Sequence, residues 1–212
     1  MRVVKPVPSP FKDRAKRASE VEEKRLAVLR TAAELFTTRG FHSTKLTDVA
    51  ERLNITKPAI YHYFSSKDEI LLACTRVAVD ASERYFAEED DASQDGRARL
   101  ERFMVWFGES MATPFGQVLV RVAEQDLEDE TVTQLQTAKR VIHRRLLALI
   151  TVGIDDGSIP KCDAKVAAFT IGGALGWLGQ WHRQGERLSA REASVRVTAL
   201  LLEGLASTRG GS

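Results

Sequence analysis

LAVLRTAAELFTTRGFHSTKLTDVAERLNITKPAIYHYFSSKDEILL, residues 26–72, packs three short helical patterns and the start of a fourth into fewer than fifty residues. Only Asn54 and Ile55 separate the second pattern from the third, which opens on Thr56, Lys57 and Pro58. This is the layout of a helix-turn-helix, in which a supporting helix props a short recognition helix against the major groove of DNA. Working outward, Ser19 with Glu22 three residues on forms a capping box for the first helix, whose inner face is Leu26, Leu29, Ala33 and Phe36. Gly40 then serves as a left-handed cap that lets Phe41 fold back onto the helix.

The second helix is predicted over residues 45–53, with Thr44 as its cap. Leu46, Val49, Ala50 and Leu53 face inward, while Lys45 and Thr47 stay outside. The third is predicted from Thr56 to about Tyr63, with Thr56 as cap. Pro58 suits its first turn, where a missing N–H costs nothing. Ile60 and Phe64, four apart, face the core and leave Lys57, Pro58, Ala59, Tyr61, His62 and Tyr63 on the outer and flanking surfaces. A surface with two tyrosines, a histidine and a lysine, and no acid, suits phosphates and base edges. Packing in a satellite core stays open as the alternative for Tyr61 and Tyr63. Ser66 and Glu69 form a second capping box, and Lys67 lies in that helix's first turn, where backbone N–H groups favour a phosphate.

Taken in order, Gly40-Phe41, Thr44, Leu46-Thr47-Asp48-Val49-Ala50, Ile55-Thr56-Lys57, Ile60-Tyr61-His62-Tyr63-Phe64 and Ser66-Lys67-Asp68-Glu69 resemble the TetR family of one-component bacterial transcription regulators. The match covers residues 20 to about 75. Pro58-Ala59 departs from the glycine or small polar pair of many members, and favours a thymine-methyl contact over a hydrogen bond there. The resemblance implies an all-helical dimer, each protomer joining a small DNA-binding domain to a larger ligand-binding and dimerisation domain. A second, more local resemblance is that of WLGQWHRQGERLS, residues 177–189, to C-terminal domains of TetR-type regulators of lipid and sterol catabolism.

Charge agrees with that division. Residues 1–76 carry 15 Lys and Arg against 9 Asp and Glu, a net +6, whereas the rest of the chain is −4. Polyanion binding therefore belongs to the N-terminal third. Residues 1–18, with Pro6, Pro8, Pro10 and six basic side chains, are expected to form a mobile basic arm that touches phosphates. Cys74 and Cys162 lack the close spacing of zinc or redox motifs, and His42, His62, His143 and His182 are scattered, so no metal and no cofactor is expected. Neither a Gly-x-Ser-x-Gly turn nor a His-Glu-x-x-His motif is present, so no enzyme is expected. The N-terminus has no apolar targeting run, which points to a cytoplasmic protein.

Beyond residue 75 the pattern stays helical. The fourth helix should run to about Phe86 and end in an acidic, solvated linker, Glu88-Glu89-Asp90-Asp91. Further helices are expected over residues 97–112, from Pro114, over 128–156, from Asp163 and from Ser189, about nine in all. The uncharged run from Val166 to Trp181 is shorter than the roughly 20 residues of a spanning helix, so no membrane partner is expected. Its glycines Gly172, Gly176 and Gly179, with Val197 and Leu201 of the last helix, are candidates for a dimer interface of two helices per protomer, with ordinary intramolecular core as the open alternative. Material for an effector pocket lies in Phe103, Trp106, Phe107, Met111, Val122, Phe169 and Trp177, with Arg121, Arg140 and His143 to meet an anionic head group such as an acyl coenzyme A. Plain core packing for the apolar residues and surface ion pairs for the basic ones stay open.

The sequence thus predicts an all-α protein: an arm over 1–18, a helix-turn-helix domain over 19–66 and a helical effector and dimerisation domain over 67–212. Its partners would be an inverted-repeat DNA operator, a second copy of the chain and a small hydrophobic or acyl-CoA-like effector that releases the DNA. The alternative is a DNA-binding regulator of the same fold with no effector, controlled by a protein partner or by its own concentration.

Overall fold

The computed structural model describes residues 10–88, 90–183 and 185–204, with side chains described from Lys16 onward. All regular structure among these residues is helical: α1 Pro10–Thr38, α2 Leu46–Arg52, α3 Lys57–Tyr61, α4 Lys67–Glu88, α5 Gly96–Met111, α6 Pro114–Arg121, α7 Asp129–Asp155, α8 Ala164–Gly176, α9 Leu178–Trp181 and α10 Ala190–Glu203. A single 3-10 turn, Glu124–Asp126, joins α6 to α7. The short α9 arises because the run expected as one eighth helix breaks at Trp177.

Two hydrophobic cores organise these helices. The N-terminal core gathers Leu29, Phe36, Phe41, Val49, Ile60, Phe64, Ile70 and Leu71, and is closed from the far side by Val118 and Val122. The C-terminal core gathers Tyr85, Leu100, Phe103, Met104, Leu135, Leu146, Ile150 and Leu175. The long α4 runs through both, from Ile70 and Leu71 to Tyr85, and the shorter α6 joins both through Val118 and Leu119. Leu127, after the 3-10 turn, packs against both as well.

The N-terminal helix starts earlier than its capping residues suggest. Residues 1–9 of the expected arm lie outside the described residues, but from Pro10 the chain is helical, so Ser19 sits inside α1. Pro10 fits a first helical position. The following FKDRAKRASEVEEK contains no glycine or further proline and carries Lys16 four residues before Glu20, so propensity and pairing favour continuation. Ser19 accordingly donates to Glu23 at 3.3 Å instead of capping. Burial begins only at Val28, and Leu26, expected inside, is 38% exposed. The helix stops where Gly40 takes φ +92°, and Phe41 folds back edge-on to Phe36 with ring centroids 5.0 Å apart.

Thr44 is fully buried and caps nothing. Its hydroxyl donates to the Gly40 carbonyl at 2.8 Å, with the Leu35 carbonyl at 3.3 Å, which ties α2 to the end of α1. The residue at the start of α2 is Lys45, whose N–H donates to the Asp48 carboxylate at 2.8 Å. The acidic linker after α4 is also less solvated than its charge suggests. Asp90 folds under Arg99, which holds both carboxylate oxygens at 2.7 and 3.0 Å, and the Asp90 side chain is only 9% exposed. Glu89 lies outside the described residues, as does Leu205, which the sequence pattern assigns to the last amphipathic helix. Later helices are capped by their own side chains, with Thr113 on Gly116, Asp163 on Val166 and a reciprocal Ser189–Glu192 box.

Replacing Thr44 by Val keeps the shape and removes a buried donor while leaving its carbonyl partners. We expect Thr44→Val to lower unfolding free energy by about 1–2 kcal/mol in urea titration, with secondary structure intact; an unchanged midpoint would mean that this hydroxyl does not hold α2 in place.

Candidate DNA-binding surface and effector cavity

The third helix is held from beneath. Ile60 is fully buried and Phe64 nearly so, and the main chain turns tightly after Tyr61 through bonds from the Tyr63 and Phe64 N–H groups to the Ile60 carbonyl. Asn54, between α2 and α3, adopts φ +53°, a conformation asparagine accepts more readily than most residues. With its inner face anchored, α3 presents Lys57, Pro58, Tyr61 and His62 to solvent, and Ala59 is half-buried. Lys57 Nζ lies 5.7 Å from the Tyr61 ring centroid, so cation and aromatic form one patch. Exposed Lys45 and half-buried Thr47 come from α2, and exposed Thr56 precedes α3. Tyr63 is half-buried and packs against the N-terminal core, with His62 edge-on to it at 5.2 Å.

Lys67 does something that sequence spacing did not suggest. Its ammonium donates to the Phe41 carbonyl at 2.8 Å and the His42 carbonyl at 3.3 Å, and lies 4.5 Å from the Phe41 ring centroid. It therefore clamps the turn after α1 to the first turn of α4. Sequence reasoning also missed Arg25, whose guanidinium lies 5.1 Å from the Phe64 ring centroid, and Ser65. The Ser65 hydroxyl and N–H both bond the Glu69 carboxylate and hold its pKa below the ordinary value, while the Ser66 hydroxyl accepts from the Glu69 N–H. The expected Ser66–Glu69 box is thus shared between two serines.

In the C-terminal domain a cavity of about 700 Å³ opens between α5, α7 and α8. It brings together Phe103, Phe107, Met111, Arg140, His143, Phe169 and Trp177, seven of the ten pocket residues picked out from sequence. The His143 and Phe169 rings lie in tilted contact at a centroid distance of 4.4 Å. The other three lie elsewhere. Val122 is buried in the N-terminal core. Trp106 packs on Tyr85 and Phe103 and faces a larger open groove of about 1440 Å³ between α1, α4 and the α5–α6 turn. Arg121 faces that groove too, with its guanidinium tied to the carbonyls of Gly179, Gln180 and His182; desolvation and then Arg183 hold its pKa down. Arg121 therefore staples α6 to α9, and the basic side chains at the 700 Å³ cavity are Lys139, Arg140 and His143. Lys139 was legible only as the start of the stripe Lys139, Ile142, His143 and Leu146 on one face of α7.

Of the glycines assigned to an interface, Gly179 is the one closely packed by its own chain. Gly172 and Gly176 line the cavity, and Gly179 is buried where a Cβ would meet Val120 at 2.7 Å and the Met111 carbonyl at 2.8 Å. Val197 and Leu201 pack against their own core. The same two helices instead leave apolar side chains uncovered: Val166 60%, Phe169 60% and Trp177 62% exposed at the outer face of α8, with Val195 and Leu200 on α10. Helical periodicity does not say which side of a helix the chain itself will cover.

Residues 28–74 match the model of bacterial regulatory proteins of the tetR family, and residues 93–205 match that of the tetracyclin repressor-like C-terminal domain. The chain is 25% identical over 187 residues to the HTH-type transcriptional repressor KstR2 of Rhodococcus jostii (strain RHA1), covering 87% of this chain and 92% of that protein. Among solved structures, the TetR family transcriptional regulator PfmR from Thermus thermophilus superposes with a TM-score of 0.71 at 28% identity, over 85% of this chain and 99% of that one. AibR in complex with isovaleryl coenzyme A and operator DNA also shares the fold, with a TM-score of 0.71 at 22% identity over 85% and 98% of the two chains. Among the described residues no helix is long and apolar enough to cross a membrane.

Tyr61→Ala and Lys57→Ala each remove an exposed side chain, so the melting temperature should barely move. Binding to the cognate operator should weaken by about 1–3 kcal/mol in fluorescence anisotropy. Equal weakening on random DNA would reassign the pair from base edges to phosphates.

Proposed function

The chain belongs to the TetR family of bacterial regulatory proteins, a family of DNA-binding transcription regulators, and we propose that it is a repressor whose grip on its operator is released by a small hydrophobic anion. The observation that carries this is the reach of α4. Its first turn lies against the helix-turn-helix through Lys67, and its last turns place Tyr85 and Phe86 on Phe103, 5.4 and 4.9 Å away, at the wall of the 700 Å³ cavity. A rigid rod joining two sites converts a small displacement at one end into a changed separation of two recognition helices in a dimer. The effector must bind the released state better than the DNA-bound one, and DNA must weaken its binding by the same factor.

The contact surface with DNA comprises Lys45, Thr47, Thr56, Lys57, Pro58, Ala59, Tyr61 and His62, with Tyr63 and Lys67 acting chiefly to hold that surface in place. The cavity is lined mainly by aromatic and aliphatic side chains with basic groups at α7, which suits an acyl chain with an anionic head. AibR was solved with isovaleryl coenzyme A, which supports acyl coenzyme A thioesters as the first class to test. The protein would act in the cytoplasm as a homodimer on an inverted repeat, each protomer filling one half-site.

Operator titration with and without short- and medium-chain acyl coenzyme A thioesters tests the release. A typical coupling would weaken operator binding roughly 5–150-fold. Tight binding of such a thioester with unchanged operator affinity would remove the coupling. A thermal-shift screen in which no thioester or acid raises the melting temperature would favour a regulator of this fold without an effector.

The uncovered α8–α10 face supplies the dimer contact in this reading. Val166→Glu places a charge at its exposed edge without touching the protein's own core. Sedimentation should then report a monomer, and operator binding should fall with it. An intact dimer would place the contact elsewhere.

A further inference from the structure

The cavity and the DNA-binding domain are linked by more than α4. Residues 122–131 form a strap across the molecule. Val122 is buried in the N-terminal core, and Leu127 packs against both cores. Asp126 Oδ1 lies 3.7 Å from His42 Nε2 in the turn after α1. At the far end, the Thr131 hydroxyl donates to Asp68 in the first turn of α4 at 3.3 Å. Glu124 ties this strap to α7: one carboxylate oxygen accepts from Lys139 Nζ at 2.9 Å, the other from Gln136 Nε2 at 3.1 Å.

Lys139 also lines the cavity, beside Arg140 and His143. Among the described residues lining that cavity none is a carboxylate, so the charge within it is of one sign. The Lys139 and Glu124 side chains are each 38% exposed, and a water-screened ion pair of this kind holds its partners weakly. An acid whose tail fills the apolar part of the cavity brings a carboxylate or phosphate to the same ammonium with its position already fixed, which favours it over Glu124.

We propose that Lys139 is the anion-binding residue of the cavity and that an acidic effector loosens the DNA-binding domain by drawing Lys139 away from Glu124, freeing the 122–131 strap. This rests on the reading of the cavity as an effector site. Arg140, one residue on and 3.4 Å from Gln136 Oε1, moves with the same turn of α7. His143 supports the tail side of the ligand through its contact with Phe169. Glu124, relieved of Lys139, keeps only the neutral Gln136 amide. The strap's contacts to His42 and Asp68 then lose their fixed support, and the helix-turn-helix gains freedom relative to the cavity.

The test uses the full-length protein with octanoyl coenzyme A, octanoate and methyl octanoate as probes, in calorimetry and operator titration. In Glu124→Gln the pair is cut and Lys139 is released. The two acids should bind roughly 2–5-fold tighter, operator binding without ligand should weaken by a similar factor, and the acid-induced release should shrink. In Lys139→Met the acids should bind about tenfold more weakly or worse, while methyl octanoate binds as it does to wild type, since its head carries no charge. Both side chains are partly exposed, and matching circular dichroism and melting curves establish that the variants fold. Acid and ester weakened alike would make Lys139 a purely structural residue and overturn the proposal. So would a Glu124→Gln protein that binds octanoate and releases operator as wild type does, which leaves the effector reading standing. If wild type binds neither octanoate nor octanoyl coenzyme A, the acyl-anion reading itself falls, and the proposal with it.

Discussion

Both hydrophobic cores of this protein are completed by one unbroken helix. Ile70, Leu71 and Cys74 of α4 are fully buried with α1 and the helix-turn-helix, and Tyr85, three turns further on, is buried with α5. Burial pushes the Cys74 thiol up to about 12. No glycine or proline interrupts residues 67–88, so the rod has no hinge of its own. Any rearrangement of the C-terminal bundle that moves the far end of α4 must therefore be felt at Lys67 and the turn it clamps.

The proposed DNA-facing surface depends on that attachment. With seven and five residues, α2 and α3 are too short to persist alone in water. Leu46, Val49, Ala50, Ile60 and Phe64 fix them by burial, Thr44 by its bonds to the end of α1, and Lys67 by its bonds to residues 41 and 42. The exposed residues of α3 are consequently held in position before DNA arrives, which lowers the ordering cost of binding. The basic surplus of the N-terminal third adds attraction for phosphates, while specificity must come from the few side chains that reach base edges.

The C-terminal domain combines a cavity and an uncovered apolar face on the same helix. Phe169 and Trp177 of the α8 region belong to both: they line the cavity and stand about 60% exposed on the outside. Apolar groups left this open on a folded chain are usually covered by a partner. In the proposed dimer, a second copy covering this face would complete the cavity wall as well, and ligand binding and subunit packing would share side chains.

How much of this the sequence determined follows from the range of the interactions involved. Hydrophobic periodicity, Gly40, the two-residue turn at Asn54 and Ile55 and the Pro58 helix start are local signals, and they decided the helix-turn-helix and the all-α class without help. The starts of α6, α8 and α10 were legible for the same reason, at Pro114, Asp163 and Ser189. The start of α1 was misplaced because a capping box is only a permitted start, and a chain of good helix formers can run through it. Roles that depend on a partner distant in sequence were hidden: Thr44 on Leu35, Lys67 on Phe41, Asp90 beneath Arg99, Arg121 on the α9 carbonyls, Lys139 on Glu124. Periodicity showed that α8 and α10 were apolar and rich in small residues, but not which face their own bundle would bury. Gly179 therefore went inside, against Val120 and Met111, and Val166 was left out. A helix's pattern records what it can bury; which partner it meets, and which side chains remain for a ligand or a second subunit, is settled only when all the helices compete for the same interior.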